Sequence, residues 1–324
     1  MAELIDFYGR RLRYVRISVT DRCNFRCTYC MPAEGVTCLD HSDILRYEDI
    51  SFLCGAFWDL GVRKFRFTGG EPLVRKGLVA FLAQLKKDFP DMKLALTTNA
   101  ALLDRYAPQL ADVGLHSMNI SLDTLDPVKF AQITRVGSLA SVITGIRAAV
   151  AAGIPNIKLN TVLIKGFNDG EIGDLLRFAK TEGVLLRLIE FMPLEDEVWS
   201  KEHFISGQEI LRMLPGGGKW KAEKGAAAED GPARYYVNEK AGDEIGIITA
   251  VSDHFCDNCN RLRVSASGKL RMCLFSPDEI PLAPLIRAQD KEGLTERILE
   301  SIKGKPRCWE DIRDGKQHMS GIGG

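Results

Sequence analysis

Between residues 14 and 193 the spacing of apolar residues keeps switching, from every second residue to about every 3.6, and nothing else in the chain constrains the fold as strongly. Residues 14–19, 63–68, 93–97, 117–122, 157–164 and 185–191 alternate or are rich in β-branched side chains, and they predict strands. Residues 48–60, 77–88, 102–113 and 171–182, with a stretch ending at Ala152-Gly153, predict the helices between them. Six strand–helix units in succession predict an α/β fold with a parallel sheet. The strands run out into Gly69-Gly70-Glu71-Pro72, Thr98-Asn99-Ala100, Asp123 and Met192-Pro193. Barrels of β/α units build their sites at that end. The expectation is therefore a partial (β/α)6 barrel of the TIM type whose missing staves leave an opening. An open doubly wound sheet is the competing topology, with its site at a switch point.

Side chains two apart on a strand share a face. Arg16 and Ser18 therefore oppose Ile17 and Val19, and Lys64, Arg66 and Thr68 oppose Phe65 and Phe67. Asn119 and Ser121 oppose Met118, Ile120 and Leu122, and Lys158 and Asn160 oppose Ile157 and Leu159. The apolar faces suit packing against helices, which turns the polar faces inward. Burying Arg16, Lys64, Arg66 and Lys158 without counter-charge is very costly. The pattern predicts a wet cavity for a polyanionic ligand.

Three cysteines fall within eight residues in Cys23-Asn-Phe-Arg-Cys27-Thr-Tyr-Cys30. Thiolates are soft ligands that suit zinc or an iron–sulfur cluster. A zinc site would want a fourth ligand close by, and the next cysteine is Cys38. A cubane held by three thiolates leaves one iron open. Cys256, Cys259 and Cys273 make a second triplet, spaced C-x2-C-x13-C, with a hairpin turn expected at Ser267-Gly268. Zinc with His254 as fourth ligand and a second cluster with an open iron are both readings of it. Arg261 and Arg263 share a strand face beside this triplet. Cys54 reads as a plain buried thiol on an apolar helix, while Cys38 and Cys308 carry no pattern.

The 324 residues suffice for one large domain or two ordinary ones, and glycine-rich runs near 215–231 suggest a division into 1–230 and 231–324. The second part is expected to hold short antiparallel strands, close the opening, and end in a flexible Gly323-Gly324 tail. Basic and acidic residues balance at 43 each, which argues against a nucleic-acid or membrane partner. Nine cysteines in a chain of this size, six of them in two groups, read as metal ligation in a reducing compartment. With no apolar run of membrane-spanning length, a cytoplasmic protein is expected.

Taken together, the first cysteine triplet, Lys64-x-Arg66-x-Thr-Gly-Gly-Glu-Pro72, Asn119-Ile-Ser-Leu-Asp123, Ile189-Glu-Phe-Met-Pro193, the Cys256 to Cys273 stretch and the Gly-Gly end cover nearly the whole chain. In these the chain resembles the GTP 3',8-cyclase family of the radical S-adenosylmethionine (SAM) superfamily, which acts in molybdenum cofactor (molybdopterin) biosynthesis. The resemblance implies two [4Fe–4S] clusters, on Cys23, Cys27 and Cys30 and on Cys256, Cys259 and Cys273. It implies a SAM site of Tyr29, Gly69, Gly70, Glu71, Ser121 and Met192. GTP would be bound by Arg16, Lys64, Arg66, Thr97, Lys158, Arg187, Arg261, Leu262 and Arg263. A catalytic part would fall to Arg16, Arg261, Arg263 and the tail glycines Gly323 and Gly324. The implied reaction takes hydrogen from ribose C3' through a 5'-deoxyadenosyl radical and closes C3' onto guanine C8. A homodimer, an electron donor and hand-off to the next enzyme of molybdopterin synthesis are implied partners. The chain departs from the family at Ala100, where a glycine is expected, and this puts the turn geometry in doubt. The rival readings are a peptide-modifying radical SAM enzyme with an auxiliary cluster and a zinc-dependent nucleic-acid-binding module.

Overall fold

The computed structural model describes residues 3–194, 200–216, 218–223 and 231–312. In chain order the elements are β1 (Tyr14–Ser18), α1 (Tyr47–Asp59), β2 (Lys64–Thr68), α2 (Leu78–Asp88), β3 (Lys93–Thr98), α3 (Leu103–Val113) and β4 (Ser117–Ser121). Then come α4 (Pro127–Thr134), α5 (Leu139–Ala151), β5 (Ile157–Leu163), α6 (Ile172–Thr181), β6 (Leu185–Glu190) and α7 (Gly207–Met213). The last third holds β7 (Lys221–Ala222), β8 (Arg234–Asn238), β9 (Asp243–Ile248), β10 (Arg261–Val264), β11 (Lys269–Arg271), β12 (Ile280–Pro281), α8 (Ala283–Arg287) and α9 (Lys291–Ile302). The six predicted strand–helix repeats are present in the predicted order. No single described helix is long and apolar enough to cross a membrane.

The chain divides into two compact units: Met1–Asn24, Cys30–Thr97 and Cys256–Gly324 in the first, Phe25–Tyr29 and Thr98–Phe255 in the second. The first orders its strands β12-β11-β10-β1-β2-β3, and the second β4-β5-β6-β9-β8-β7. In the first, β1 pairs parallel with both β2 and β10. In the second, β5 pairs parallel with β4 and β6, and β9 joins β6 in parallel. The antiparallel pairs are hairpins on these runs, β10 with β11 and β8 with β9. The C-terminal third therefore extends the parallel sheets of both units. Local alternation cannot give this result, because it fixes a strand's faces and not its partner.

The apolar faces pack as expected. Val15, Ile17, Phe65, Phe67, Leu94 and Leu96 are fully buried, and Phe67 meets Phe81 of α2 edge to face at 5.5 Å. Burying an aromatic side chain this completely contributes roughly 2–3 kcal/mol. In the second unit a Cβ on Gly145 of α5 would fall 2.1 Å from the Ala100 carbonyl, so only glycine lets this helix lie against the turn after β3.

Candidate functional site

Parallel register converts the polar faces into rows. In the first unit Arg16 stands level with Arg263 of β10 and Arg66 of β2, and Tyr14 stands level with Arg261 and Lys64. Arg66 and Arg263 are buried, as are Lys64 and Tyr14. Three guanidiniums on adjacent strands, about 4.8 Å apart from strand to strand, repel one another strongly at low dielectric. Burial, and then the charges of Arg16 and Arg261, push the Arg263 guanidinium well below its ordinary pKa. Tyr14 tempers the row. Arg66 Nε donates to Tyr14 Oη at 2.6 Å, and Lys64 Nζ lies 5.4 Å from the phenol ring centre. Burial raises the Tyr14 phenol, but the charges of Arg66, Arg16 and Lys64, with the Arg66 hydrogen bond, outweigh it and bring the pKa down to about 7. Arg66 Nη1 donates to Leu96 O at 2.6 Å and weakly to Thr97 Oγ1 at 3.4 Å, which ties Thr97 to the same face. Leu262 instead stands level with Val15 on the opposite, fully buried face, which leaves only its main chain to meet a ligand.

In the second unit Asn119 stands level with Lys158, and Ser121 with Asn160, Arg187 and Gly246. Arg187 donates from Nε and Nη2 to Asn160 Oδ1 at 3.0 and 2.7 Å. A Cβ on Gly246 would sit 2.7 Å from Arg187 Cγ, so the missing side chain makes room for the guanidinium stem. A cavity of about 700 Å³ opens by the first residues of β5 and β6, with Lys158 on its wall. Glu223, Asp243 and Glu244 also line it, which is the wrong charge for a triphosphate. Among the described residues, Ser18 Oγ in the first unit and Asn119 Oδ1 in the second are buried without a hydrogen-bond partner. Each lies on a predicted inward face, as an atom awaiting a polar ligand would.

The first cysteine loop is held by specific contacts on both sides of Cys23. Before Cys23, Gly70 N donates to Thr20 O at 2.9 Å and Glu71 N to Arg22 O at 2.8 Å. A Cβ on Gly69 would lie 2.4 Å from Thr20 O, and one on Gly70 would lie 2.3 Å from Arg22 O. The glycine pair therefore first admits the chain that enters the loop. Glu71 Oε1 accepts from Leu73 N at 3.1 Å and caps the short turn that follows. In the second unit Arg26 N donates to Thr134 O at 3.1 Å and Thr28 N to Ile133 O at 2.9 Å, which stitches residues 25–29 to α4. Tyr29 Oη donates to Asp123 Oδ2 at 2.6 Å, while Val162 N donates to Oδ1 at 2.8 Å. Burial raises Asp123 to about 6, against the lowering pull of these two hydrogen bonds. Ser121 and Met192 are half-buried, just before Leu122-Asp123 and just after Phe191.

At the second triplet, burial raises the Cys259 thiol, but Arg261 and Lys305 overcome it and hold the pKa at about 6. Cys259 is thereby biased toward the thiolate, the form a metal requires, whereas burial pushes the Cys256 thiol of the same triplet up to about 12. None of the nine cysteines is in a disulfide. Cys54 is buried on α1 and its thiol is pushed up by desolvation, as a structural thiol would be. Gly323 and Gly324 lie outside the described residues. Sequence reasoning missed Tyr14, Asp123 and Lys305. Tyr14 had a signal, its place on the Arg16 face, but a strand tyrosine reads as ordinary amphipathic packing.

Against known families, residues 17–179 match the radical SAM superfamily model and residues 184–310 match Molybdenum Cofactor Synthesis C. The chain is 46% identical to a GTP 3',8-cyclase of Peptoclostridium acidaminophilum, over 99% of this chain and 98% of that one. It is 45% identical to a Geobacter sulfurreducens GTP 3',8-cyclase, over 94% and 93% of the two chains. Among solved structures, Streptococcus suis SuiB superposes with a TM-score of 0.62 at 14% identity, over 95% of this chain and 78% of that one. The protein anSMEcpe with bound AdoMet reaches 0.61 at 14% identity, over 92% and 79%. At such identity these two show a shared α/β partial-barrel fold and no more.

Proposed function

We infer, for a chain that belongs to the radical SAM superfamily and within it to the GTP 3',8-cyclases, that GTP is cyclised on the cationic rows of the first unit. It is an enzyme of molybdenum cofactor biosynthesis. The observation that carries the site assignment is the level row of Arg263, Arg16 and Arg66. A nucleoside triphosphate supplies the negative charge such a row needs, and guanidinium forks match phosphate oxygens two at a time.

Cys23, Cys27 and Cys30 would hold one [4Fe–4S] cluster, and Tyr29, Gly69, Gly70, Glu71, Ser121 and Met192 would line SAM beside it. The donor chemistry fits: the thiols are free of disulfides, and the glycine clamp fixes the chain entering the loop. Cys256, Cys259 and Cys273 would hold a second cluster, where the Cys259 thiolate stabilised by Arg261 and Lys305 fits a thiophilic metal. When bound, the first cluster and SAM supply a radical able to take hydrogen from ribose C3' of GTP. The chain's own residues orient and neutralise. Arg16, Lys64, Arg66, Thr97, Arg261 and Arg263, with Arg187, bind the nucleotide, and the Leu262 main chain passes beside it; Lys158, on the wall of the acidic cavity, is left out of the phosphate contacts. Arg16, Arg261 and Arg263 hold charge near the reacting base, and the Gly323-Gly324 end is assigned a part in turnover. Tyr14 Oη, in hydrogen bond with Arg66, can hold or release a proton near neutral pH. Homodimerisation, an electron donor and hand-off of product to the next enzyme belong to the same reading.

The test is anaerobic iron and sulfide analysis followed by an assay with GTP, SAM and a reductant. About eight irons per chain and a cyclised product are expected. About four irons would remove the second cluster from the reading, and binding of GTP without cyclisation would overturn the site assignment.

A further inference from the structure

In the first unit a level of hydroxyls follows the row of arginines. Ser18 stands two residues after Arg16 on the inward face of β1, and the register sets it level with Thr68 of β2. Two residues of strand carry a side chain about 6.6 Å along the axis. Thr97, near the end of β3, adds a hydroxyl on the same side, where Arg66 Nη1 reaches its Oγ1 at 3.4 Å. Ser18 and Thr68 are each 2% exposed. Ser18 Oγ is buried without a hydrogen-bond partner among the described residues, a costly state for a hydroxyl. Its neighbours in the chain and in the sheet put their hydroxyls to local use. Thr20 Oγ1 accepts from Arg22 N at 3.1 Å and shapes the approach to Cys23. Ser265, the residue after β10, accepts from Lys269 N at 3.1 Å and lies 3.0 Å from Ser267 Oγ, which builds the β10–β11 turn. Ser18 has no such duty, and its place in the middle of the sheet gives no turn or cap to make.

We propose that Ser18 is a specificity-determining residue, whose hydroxyl bonds the ribose 2'-hydroxyl of the nucleotide and so selects ribonucleotides over deoxyribonucleotides. This rests on the GTP site inferred above and deepens it. Charge sorts the two levels. The guanidiniums of Arg16, Arg66 and Arg263 suit phosphate oxygens, whereas a serine hydroxyl, which both donates and accepts, suits the hydroxyl of a sugar. Position sorts them in the same way. Gly69 and Gly70, which would line SAM, follow Thr68 directly. Hydrogen is to be taken from ribose C3', so the sugar must sit between the arginine row and the glycine pair, at the level of Ser18. C3' itself reacts, and the hydroxyl on C2' is the one that can stay bonded throughout. A nucleotide with only hydrogen at C2' leaves Ser18 Oγ buried and unpaired, which is how a site rejects an analogue lacking a hydroxyl.

The experiment is a double-mutant cycle on the full chain, reconstituted anaerobically, with equilibrium dialysis of GTP and 2'-deoxyGTP. The parent should bind GTP about tenfold more tightly than 2'-deoxyGTP, the worth of one hydrogen bond between neutral groups. Ser18→Ala should lose about tenfold in GTP affinity and bind the two nucleotides alike, because either partner's removal already breaks the bond. Its denaturant midpoint should be no lower than the parent's, since no internal hydrogen bond is lost, and its affinity for SAM should be unchanged. A Ser18→Ala chain that still prefers GTP tenfold, or a parent with no preference, would overturn the proposal while leaving the GTP site standing. A fall in SAM affinity with the preference for GTP intact would give Ser18 to the ribose of SAM and overturn the proposal as well. A parent that binds neither nucleotide would overturn the site assignment, and this inference with it.

Discussion

In the first unit Arg263, Arg16 and Arg66 stand level on three adjacent strands. In the second, the level of Ser121, Asn160, Arg187 and Gly246 holds one guanidinium, two short polar groups and no side chain at all. Arg187 is shared with a neutral amide, whereas Arg66 leans on a phenol whose pKa its own charge helps lower to about 7. The first arrangement sets like charges side by side, and on the proposed reading a bound polyanion would offset their repulsion, so its residues should carry affinity and rate. The second is internally satisfied, so Arg187 should carry orientation only. The sharpest test is therefore unequal loss. Arg16→Ala or Arg263→Ala should lower kcat/KM for GTP by about 10²- to 10³-fold, some 3–4 kcal/mol. Arg187→Ala should cost about tenfold. Anaerobic steady-state kinetics on variants with matched iron content would decide, and equal losses would erase the distinction between the units.

The glycines extend the comparison to the backbone. A methyl on Gly70 meets main-chain oxygens of Arg22 and Asp21 at 2.3 and 2.8 Å, neither of which can swing away. A methyl on Gly246 meets the Arg187 stem at 2.7 Å and the Tyr235 ring at 3.1 Å, both of them side chains. Gly70→Ala should destabilise by about 3 kcal/mol and lower the iron held by the first triplet. Gly246→Ala should cost about 1 kcal/mol. Denaturant unfolding of the two variants separates these values, and a Gly70 variant as stable as the parent would show that the clamp is absent.

Tyr14 gives a pH dependence to the first unit alone. Its folded pKa of about 7 lies below the unfolded value of 10.0. A depressed acid contributes stability that is full above the unfolded pKa and is lost as pH falls through the folded one. The parent should therefore gain on Tyr14→Phe by about 2 kcal/mol between pH 7 and pH 9. The charged side chains facing the phenol from its own and the neighbouring strands are Arg16, Arg66, Lys64, Arg261 and Arg263. A constant difference between the two proteins would mean that Tyr14 stays protonated.

These residues also mark how much was legible beforehand. The strand faces were readable because alternation is local, and the register sets Arg16 level with Arg66 and Asn119 level with Lys158, polar residue beside polar residue. The cysteine triplets were readable because a metal forces short spacing. The parallel docking of β10 on β1 was not, because pairing is set by tertiary packing, and with it went the level row of arginines. Tyr14 needed its neighbours' charges to become more than a strand tyrosine.

Ala100 is the smallest effect and the one where sequence expectation and backbone meet most directly. A glycine was expected, and the structure keeps the backbone a glycine would have, with φ at +63°. The turn is held by Ala100 N donating to Thr98 Oγ1 at 3.1 Å and by Leu103 N donating to Ala100 O at 3.0 Å. A left-handed alanine costs roughly 1–2 kcal/mol. Its fully buried methyl returns about 0.8 kcal/mol, and the stiffer unfolded chain returns another 0.5–1 kcal/mol. These terms nearly cancel, which is the physical reason alanine is tolerated where glycine was expected. Ala100→Gly should therefore change unfolding free energy by less than about 1 kcal/mol. Ala100→Val, β-branched at the same φ, should cost about 2–3 kcal/mol. If valine were as stable as alanine in denaturant unfolding, the residue would not be left-handed and the turn after β3 would differ from the one described.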